Sequence, residues 1–363
     1  MPSFENPYQL SEDENRAIFQ SDIYPVFYEH LQSSPTPELH YFGGQPGAGK
    51  STCERETIAS LVQRDGLNSV AEISLDDFRD MHPAQIELLM DDEESAAEYT
   101  NDDCWLWSVQ ASQVAISRRS NVIREGTLRD AASVSSEVRE YSSAGYRTEL
   151  HVIAVPAQLS RLRYLSRYVF FVEQMGMGRL VSQTFHDNAY DHLPESLSQL
   201  FDDGVFDAYT IHDQEGVVLA RVTRREPTEG KKKLMMLLAQ GREANLDIDA
   251  MVRSSRDLMD RALKARKQSA ATQLQILLWD IQPPEQDGLE LRLSSMIQAE
   301  RHSENAHRVA ELSKQTMEAI WALYDLAETH HLNPQQYEEV QKIAQQAAQL
   351  LAQNLEHFVD SIQ

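Results

Sequence analysis

Gly44-Gln45-Pro46-Gly47-Ala48-Gly49-Lys50-Ser51, followed by Thr52, is a full P-loop pattern: a glycine, four residues, then Gly-Lys-Ser. The chemistry it serves is polyphosphate binding. Its glycines let consecutive backbone N–H groups turn toward an anion. Lys50 then bridges the β- and γ-phosphates, and the Ser51 hydroxyl holds Mg²⁺. Leu39-His40-Tyr41-Phe42 predicts a short strand before the loop, and Ser51 to Gln63 a helix after it, which is the context such a loop needs.

A P-loop does not by itself separate a kinase from a switch or a motor. Residues downstream bear on that choice. Asp76 falls at the predicted carboxyl end of a strand, within Leu75-Asp76-Asp77-Phe78-Arg79-Asp80-Met81-His82-Pro83. Glu125 falls similarly, after Asn121-Val122-Ile123-Arg124 and before Gly126-Thr127-Leu128-Arg129. One carboxylate can accept a substrate hydroxyl proton while another helps hold Mg²⁺; the competing account is an ordinary turn acid. Four arginines follow: Arg161, Arg163, Arg167 and Arg179. Guanidinium groups offset the charge of a transferring phosphoryl group with fixed geometry. Arg167 and Arg179 are expected over the phosphates, Arg161 and Arg163 on a solvated helix face.

The elements that must position these groups alternate. Strands are expected over Ser69–Leu75, Asn121–Arg124 and His151–Val155, the last closed by Pro156. Helices are expected over Ala84–Met90, Cys104–Arg119 and Ala157–Gln174. Tyr209-Thr210-Ile211 and Val217-Val218-Leu219-Ala220 read as a hairpin across Asp213-Gln214-Glu215-Gly216. The fold class is therefore α/β, a P-loop kinase-like, mostly parallel sheet flanked by helices, with ligands at the carboxyl ends of the strands. Residues 1–38 form a helical lead-in capped at Ser11, with an apolar face of Ile18, Ile23, Phe27, Tyr28 and Leu31.

After Arg224-Arg225-Glu226-Pro227-Thr228-Glu229-Gly230-Lys231-Lys232-Lys233, read as a charged linker, strand signals almost vanish. Residues 39–225 are thus the kinase-like domain and 226–363 an all-helical C-terminal module. Its first helix begins at Ile248, Met251 and Val252 and extends toward Trp279 before Pro283-Pro284. A second face is marked by Val309 to Tyr324, a third by Val340 to Ile362.

The net charge of −24, from 57 acidic against 33 basic residues, argues against nucleic acid or an anionic membrane surface as partner. Two cysteines, Cys53 and Cys104, do not make a disulfide framework. With no apolar run of spanning length and no leader-like amino terminus, the expectation is a soluble cytoplasmic protein. Trp105 and Trp107 are expected on a half-buried helix face, His330-His331 at a helix end, and Lys231-Lys232-Lys233 in solvent.

Taken in order, these residues carry a resemblance. Gly43 through Ser51, Asp76-Asp77-Phe78-Arg79 with His82-Pro83, Asn121 through Thr127, Val155-Pro156, Arg167-Tyr168, and Arg179 ahead of His186-Asp187 are similar to the zeta toxin family, P-loop kinases of bacterial toxin–antitoxin systems. It spans about residues 10–225. The resemblance implies transfer of the γ-phosphate of ATP or GTP, with Mg²⁺, to a sugar hydroxyl of UDP-N-acetylglucosamine, which blocks cell-wall precursor synthesis. It makes Lys50 the phosphate lysine, Ser51 the metal hydroxyl and Asp76 the base. Glu125 becomes the acid near metal and substrate, Arg167 and Arg179 the phosphate arginines, and Gly126-Thr127 the lining of the sugar-nucleotide cleft. Two departures stand out. Leu128 follows Thr127 where some members have glycine, and acids from Asp91 to Asp103 are expected over the acceptor pocket.

The helical module lies outside that pattern. It is open to three readings: a tethered restraint on the kinase, as helical antitoxins are for similar toxins, an oligomerisation module, or a partner-docking module. For the chain as a whole, three functions stay open: a zeta-type kinase, a P-loop kinase for another nucleotide sugar or a dinucleotide, and a non-catalytic nucleotide-dependent interaction protein.

Overall fold

The computed structural model describes residues 6–91, 93–224 and 227–282. Met1–Ile281 make one compact unit. The lead-in opens with α1 (Glu12–Ile18), started by a capping box in which Ser11 and Glu14 satisfy each other's backbone N–H groups. A π-helical turn, Phe19–Ile23, leads into α2 (Tyr24–Phe27). Phe19, Ile23 and Tyr28 are buried as a result. The Tyr28 hydroxyl donates to the Glu72 carbonyl at 2.9 Å, which fixes the lead-in to the sheet.

Strand and helix then alternate: β1 (Glu38–Gly43), α3 (Lys50–Asp65), β2 (Val70–Ile73), α4 (Leu75–Arg79), α5 (Gln85–Asp91), α6 (Ala96–Arg118), β3 (Asn121–Gly126), α7 (Ala131–Ser143), β4 (Arg147–Ile153), α8 (Ala157–Met175), α9 (Gln183–Asp202), β5 (Ala208–His212) and β6 (Val218–Thr223). The six strands lie in the order β2-β3-β1-β4-β5-β6. The first five in that row are parallel, and β6 returns antiparallel to β5 as the expected hairpin. The α/β class and the mostly parallel sheet are as the sequence predicts. β1 lies between β3 and β4, so the loop leaving it opens where the strand order reverses, the position where such sheets bind ligands.

Both faces are covered. Leu39, Tyr41, Val122, Leu150 and Val152 point into a core with Trp107, Tyr141 and Phe206. Phe42, Ile123 and Ile153 pack on the other face against Ala48, Cys53 and Leu61. Trp107 is fully buried, and its indole donates to the Asn15 carbonyl at 2.8 Å. Trp105, two residues away, is exposed.

Several boundaries differ from expectation. The strand expected over Ser69–Leu75 ends at Ile73, because Ser74 starts a helix; Asp76 therefore sits in the first turn of α4. β4 begins earlier than expected, at Arg147, and ends at Ile153. The expected linker gives way at Pro227 to α10 (Pro227–Arg242), whose Leu234 and Leu238 enter the main core. Lys231 pairs with Asp202 at 2.5 Å instead of standing free in solvent. The helix expected from Ile248 toward Trp279 is two. α11 (Ile248–Lys264) stops at Ala265, Arg266 takes a left-handed φ of 61°, and α12 (Gln268–Ile281) returns. These two pack on α8 through Leu258, Ala262, Leu274 and Leu277 against Leu165 and Val169. The helical faces expected beyond Pro283-Pro284, and His330-His331, lie outside the described residues.

Candidate active site

The P-loop bends through positive φ at Gly47 (77°) and Gly49 (103°). Gly47 also lets the loop touch α8: a Cβ there would meet the Ser160 carbonyl oxygen at 2.0 Å. α3 starts at Lys50 with no side-chain cap, so its first-turn N–H groups are left for an anion. Lys50 Nζ curls over the loop and donates to the Gly44 carbonyl at 2.9 Å and the Gln45 carbonyl at 3.4 Å. Ser51 and Thr52 lie exposed in the first turn of the helix, and Pro46 is half-buried.

Gln45 is turned away from the loop's mouth. Its side-chain amide donates to the Ser160 hydroxyl at 3.2 Å, and Ser160 meets His186 Nε2 at 2.8 Å. His186 Nδ1 meets Asp187 at 2.7 Å, and Asp187 is held by Arg161 at 2.7 Å. Arg161 continues to Asp280 of α12 at 2.5 Å. The Ser160–His186–Asp187 order is that of a hydrolytic triad, but Ser160 and His186 are wholly buried and reach no substrate. The relay braces the P-loop from behind and ties it to the C-terminal helices.

In front of the loop stands Asp76. Arg79 donates to one carboxylate oxygen at 2.8 Å and Arg179 to the other at 2.5 Å. Burial alone would favour the neutral acid, but Arg179, Arg79, Arg167 and Lys50 outweigh it and hold the carboxyl below its ordinary range. The side chain still keeps 41% of its surface open, as a group on the floor of a cleft does. Arg179 follows the end of α8, where Gly176 caps the helix in the left-handed region at φ 77°.

Glu125 is the next-to-last residue of β3, next to the P-loop, with Gly126 paired to Gly43 and the Gly126 carbonyl accepting from the Gly44 N–H at 3.2 Å. Ser74 donates to the Glu125 carboxylate at 3.2 Å. Two further acids crowd it. Glu54 on α3 is crowded against it, and its carboxyl is pushed up, first by burial and then by the Glu125 charge. Asp77 is raised to about 6, by burial first and Glu125 second. Lys50 acts electrostatically on both Glu54 and Asp76, so it links the acid group to the base. Thr127 accepts from Arg129 Nε at 3.3 Å. Leu128 takes φ 57°, a region that disfavours a branched side chain, and is kept there by burial over Gly43.

The structure thus gathers Lys50, Asp76, Glu125, Arg167 and Arg179 around one loop. It reverses the expectation for two other arginines. Arg161 is 4% exposed and fully paired, and Arg163 braces the loop by donating to the Ala48 carbonyl at 3.3 Å and the Gln214 carbonyl at 3.0 Å. Arg167, by contrast, lies exposed on α8. Sequence reasoning passed over Glu54 and Arg79. Glu54 carried a usable signal, since it stands one helical turn after Lys50 and faces the same way. The acids expected over the acceptor pocket are partly neutralised. Glu93 accepts from Lys267 at 2.5 Å and from the Tyr168 hydroxyl, and Asp103 is buried against Asn15 and His82.

A reversing parallel sheet with a P-loop, a cation-flanked carboxylate and a second acid by the loop defines the class: a P-loop kinase-like protein. The family model for zeta toxin matches residues 27–224, more than half of the chain, and the chain belongs to that family. It is 28% identical over 185 residues to toxin PezT of Streptococcus pneumoniae, covering 51% of this chain and 71% of that protein. It is 28% identical over 211 residues to toxin zeta of Enterococcus hirae, covering 56% and 71%. A solved structure from the characterization of the PezAT chromosomal toxin–antitoxin system of Streptococcus pneumoniae aligns with a TM-score of 0.58 at 22% identity. It covers 72% of this chain and 99% of that one, a likeness of fold. Among the described residues, no helix is long and apolar enough to cross a membrane.

Proposed function

We propose that the chain transfers the γ-phosphate of ATP or GTP to a sugar hydroxyl of UDP-N-acetylglucosamine in the cytoplasm, and so starves cell-wall precursor synthesis. One observation carries the reading. Asp76, on the floor of the cleft beside the P-loop lysine, is an ionised carboxylate flanked by two arginines. A hydroxyl phosphorylation needs a carboxylate to orient and deprotonate the acceptor, with cations to offset phosphoryl charge.

The residues fit a nucleotide and its metal. The uncapped start of α3 and the left-handed glycines suit a polyphosphate, with Lys50 on the β- and γ-oxygens. Ser51 and Glu125 suit Mg²⁺, a hard cation that takes oxygen ligands. When bound, Mg²⁺ would offset charge on the β- and γ-oxygens. Asp76 takes the proton of the attacking hydroxyl, while Gly126 and Thr127 line the sugar side. Arg179 moves from Asp76 toward the γ-phosphate as substrates enter, joined by Arg167. That exchange frees a carboxylate oxygen at the moment it is needed.

Residues 226–363 are proposed to restrain this activity. The relay from Gln45 to Asp280 gives α12 a mechanical path to the P-loop. The relatives include toxins, and the aligned structure comes from work on a toxin–antitoxin system, which supports a helical antitoxin as a further partner. Self-association through 226–363 is the competing role.

The test is to incubate the protein with nucleotide, Mg²⁺ and a panel of nucleotide sugars and dinucleotides, then read products by mass. Phosphorylated UDP-N-acetylglucosamine supports the reading. A product only from another acceptor moves the chain to the second kinase class, and no transfer from any acceptor removes kinase function.

A further inference from the structure

Away from the P-loop mouth, three histidines form a line across the sheet. His40 on β1, His151 on β4 and His212 on β5 project from one face. His40 Nδ1 lies 2.9 Å from His151 Nε2, and His151 Nδ1 lies 2.9 Å from His212 Nε2. The protons along this line can be assigned from its two ends. At one end, His212 Nδ1 meets the Gly216 carbonyl at 3.0 Å, and a carbonyl only accepts. His212 Nδ1 therefore carries a proton and its Nε2 a lone pair. His151 must then donate through Nδ1, which leaves a lone pair on His151 Nε2.

At the other end, His40 Nε2 meets the Glu38 carboxylate at 3.0 Å. Arg64 donates to the other oxygen of that carboxylate at 2.7 Å, so Glu38 accepts from both sides. A neutral His40 then donates through Nε2 and keeps a lone pair on Nδ1. The two assignments collide in the middle. For a neutral His40, two nitrogen lone pairs then face each other at 2.9 Å; either a second proton on His40, donated to His151 Nε2, or a metal cation between the rings relieves that.

A third donor converges on the same point. Glu149 lies directly opposite His40 in the parallel register, and its Oε1 is 3.9 Å from His151 Nε2. One ligand atom from each of His40, Glu149 and His151 lies within 4.8 Å of the others. Arg221 Nε is shared between the two Glu149 carboxylate oxygens, at 3.0 and 3.1 Å, so it can settle on Oε2; Oε1 also accepts from the Thr210 hydroxyl at 2.6 Å and has its second lone pair for a metal.

We infer that His40 Nδ1, His151 Nε2 and Glu149 Oε1 form a binding site for a divalent cation of the zinc class. Two imidazoles and a carboxylate suit zinc's preference for mixed nitrogen and oxygen ligands. Each ligating histidine also has an outer partner on its other nitrogen, Glu38 and His212, which is the support metal-binding histidines require. Zinc bonds of about 2.0–2.1 Å in a tetrahedron place two ligand nitrogens roughly 3.3 Å apart. The rings need to open only by roughly 0.4 Å from their present spacing. His40 keeps 12% of its side-chain surface open and Glu149 14%, so a cation reaches the site from solvent and retains a water as fourth ligand. Bound there, it pins β1 to β4 and, through His212 and Gly216, fixes the β5–β6 turn that Arg163 ties to the P-loop.

The test uses the full chain, stripped with chelator and titrated with zinc chloride by calorimetry and with cobalt chloride by visible absorption. His40→Ala and Glu149→Gln are titrated in parallel, with circular dichroism to check the fold. The parent should bind one more equivalent than either variant, or bind about 100-fold more tightly at that equivalent. Cobalt should give tetrahedral-type bands in the parent alone. Zinc-edge anomalous diffraction from parent crystals serves even if both variants misfold, with a peak expected between His40 and His151. No zinc binding by the parent, equal binding by a folded His40→Ala, or anomalous peaks only elsewhere would overturn the site.

Discussion

Arg179 donates to Asp76 at 2.5 Å, so the proposed base and the proposed phosphate clamp hold each other before any substrate arrives. The pair neutralises the cleft floor and stores an arginine next to the place where phosphoryl charge develops. It also sets the pH behaviour of the base.

Arg179→Ala should slow transfer by about 10³-fold, the scale at which a phosphate-directed arginine acts. The sign of the pH effect follows from the ion pair. Asp76 works ionised and is held below its ordinary range by Arg179 among other cations, so activity falls only as pH drops through that lowered value. Without Arg179 the value rises, and the acid limb of the rate profile moves to higher pH. A pH–rate series on both proteins reads this; an unmoved limb would mean that Arg179 does not tune the base.

Glu54 should behave as a protonated acid in the fold. Its carboxyl is raised by burial and by Glu125, so between its unfolded and folded values the folded chain holds the extra proton. Stability therefore falls as pH rises through that window. Glu54→Gln, which copies the protonated shape, should melt higher than the parent near pH 8. The difference should shrink as pH approaches about 4.3, the ordinary glutamate value. Melting curves across that range, without added metal, decide it.

Arg161→Met should destabilise the fold by about 3–5 kcal/mol, because it leaves Asp187 and Asp280 without their cation. Chemical denaturation measures the loss. Nucleotide affinity should fall as well, since Asp187, His186 and Ser160 position Gln45 behind the loop. Loss of stability with unchanged nucleotide affinity would confine the relay to a structural role.

Removing residues 283–363 should raise transfer if that segment restrains the kinase. The cut belongs after Gln282, because ending at 225 would strip Leu234 and Leu238 from the core, at about 1.5–3 kcal/mol each. Rates with acceptor, together with growth inhibition on expression, compare the truncated and full chains. Equality in both would assign the segment to oligomerisation or partner binding.

Much of this fold was legible locally. The P-loop, the strands beginning at Leu39 and Asn121, and the final hairpin are written in short-range pattern and turn chemistry. α7 and α9 were not anticipated, since their polar residues are interleaved with the apolar ones that face the core. Ser74 was read as strand because its neighbours are apolar; its extended backbone starts α4 and moves Asp76 into a helical turn. Arg161 and Arg163 depart from the solvated face expected of them for a physical reason. Spacing along α8 shows which residues share a face but not what covers it. Arg161 is covered by α9 and α12, which sequence periodicity cannot place. The histidine line was invisible for the same reason, as it depends on strand order.

The most direct measurement of the central claim is phosphoryl transfer from γ-labelled ATP to UDP-N-acetylglucosamine by the parent chain and by Asp76→Asn. Nucleotide binding is measured on both. The account predicts labelled sugar nucleotide from the parent, a loss of about 10²–10⁴-fold in the variant, and nucleotide affinity largely kept. Equal transfer by the variant would contradict Asp76 as the base, and no labelled product from the parent would contradict the acceptor.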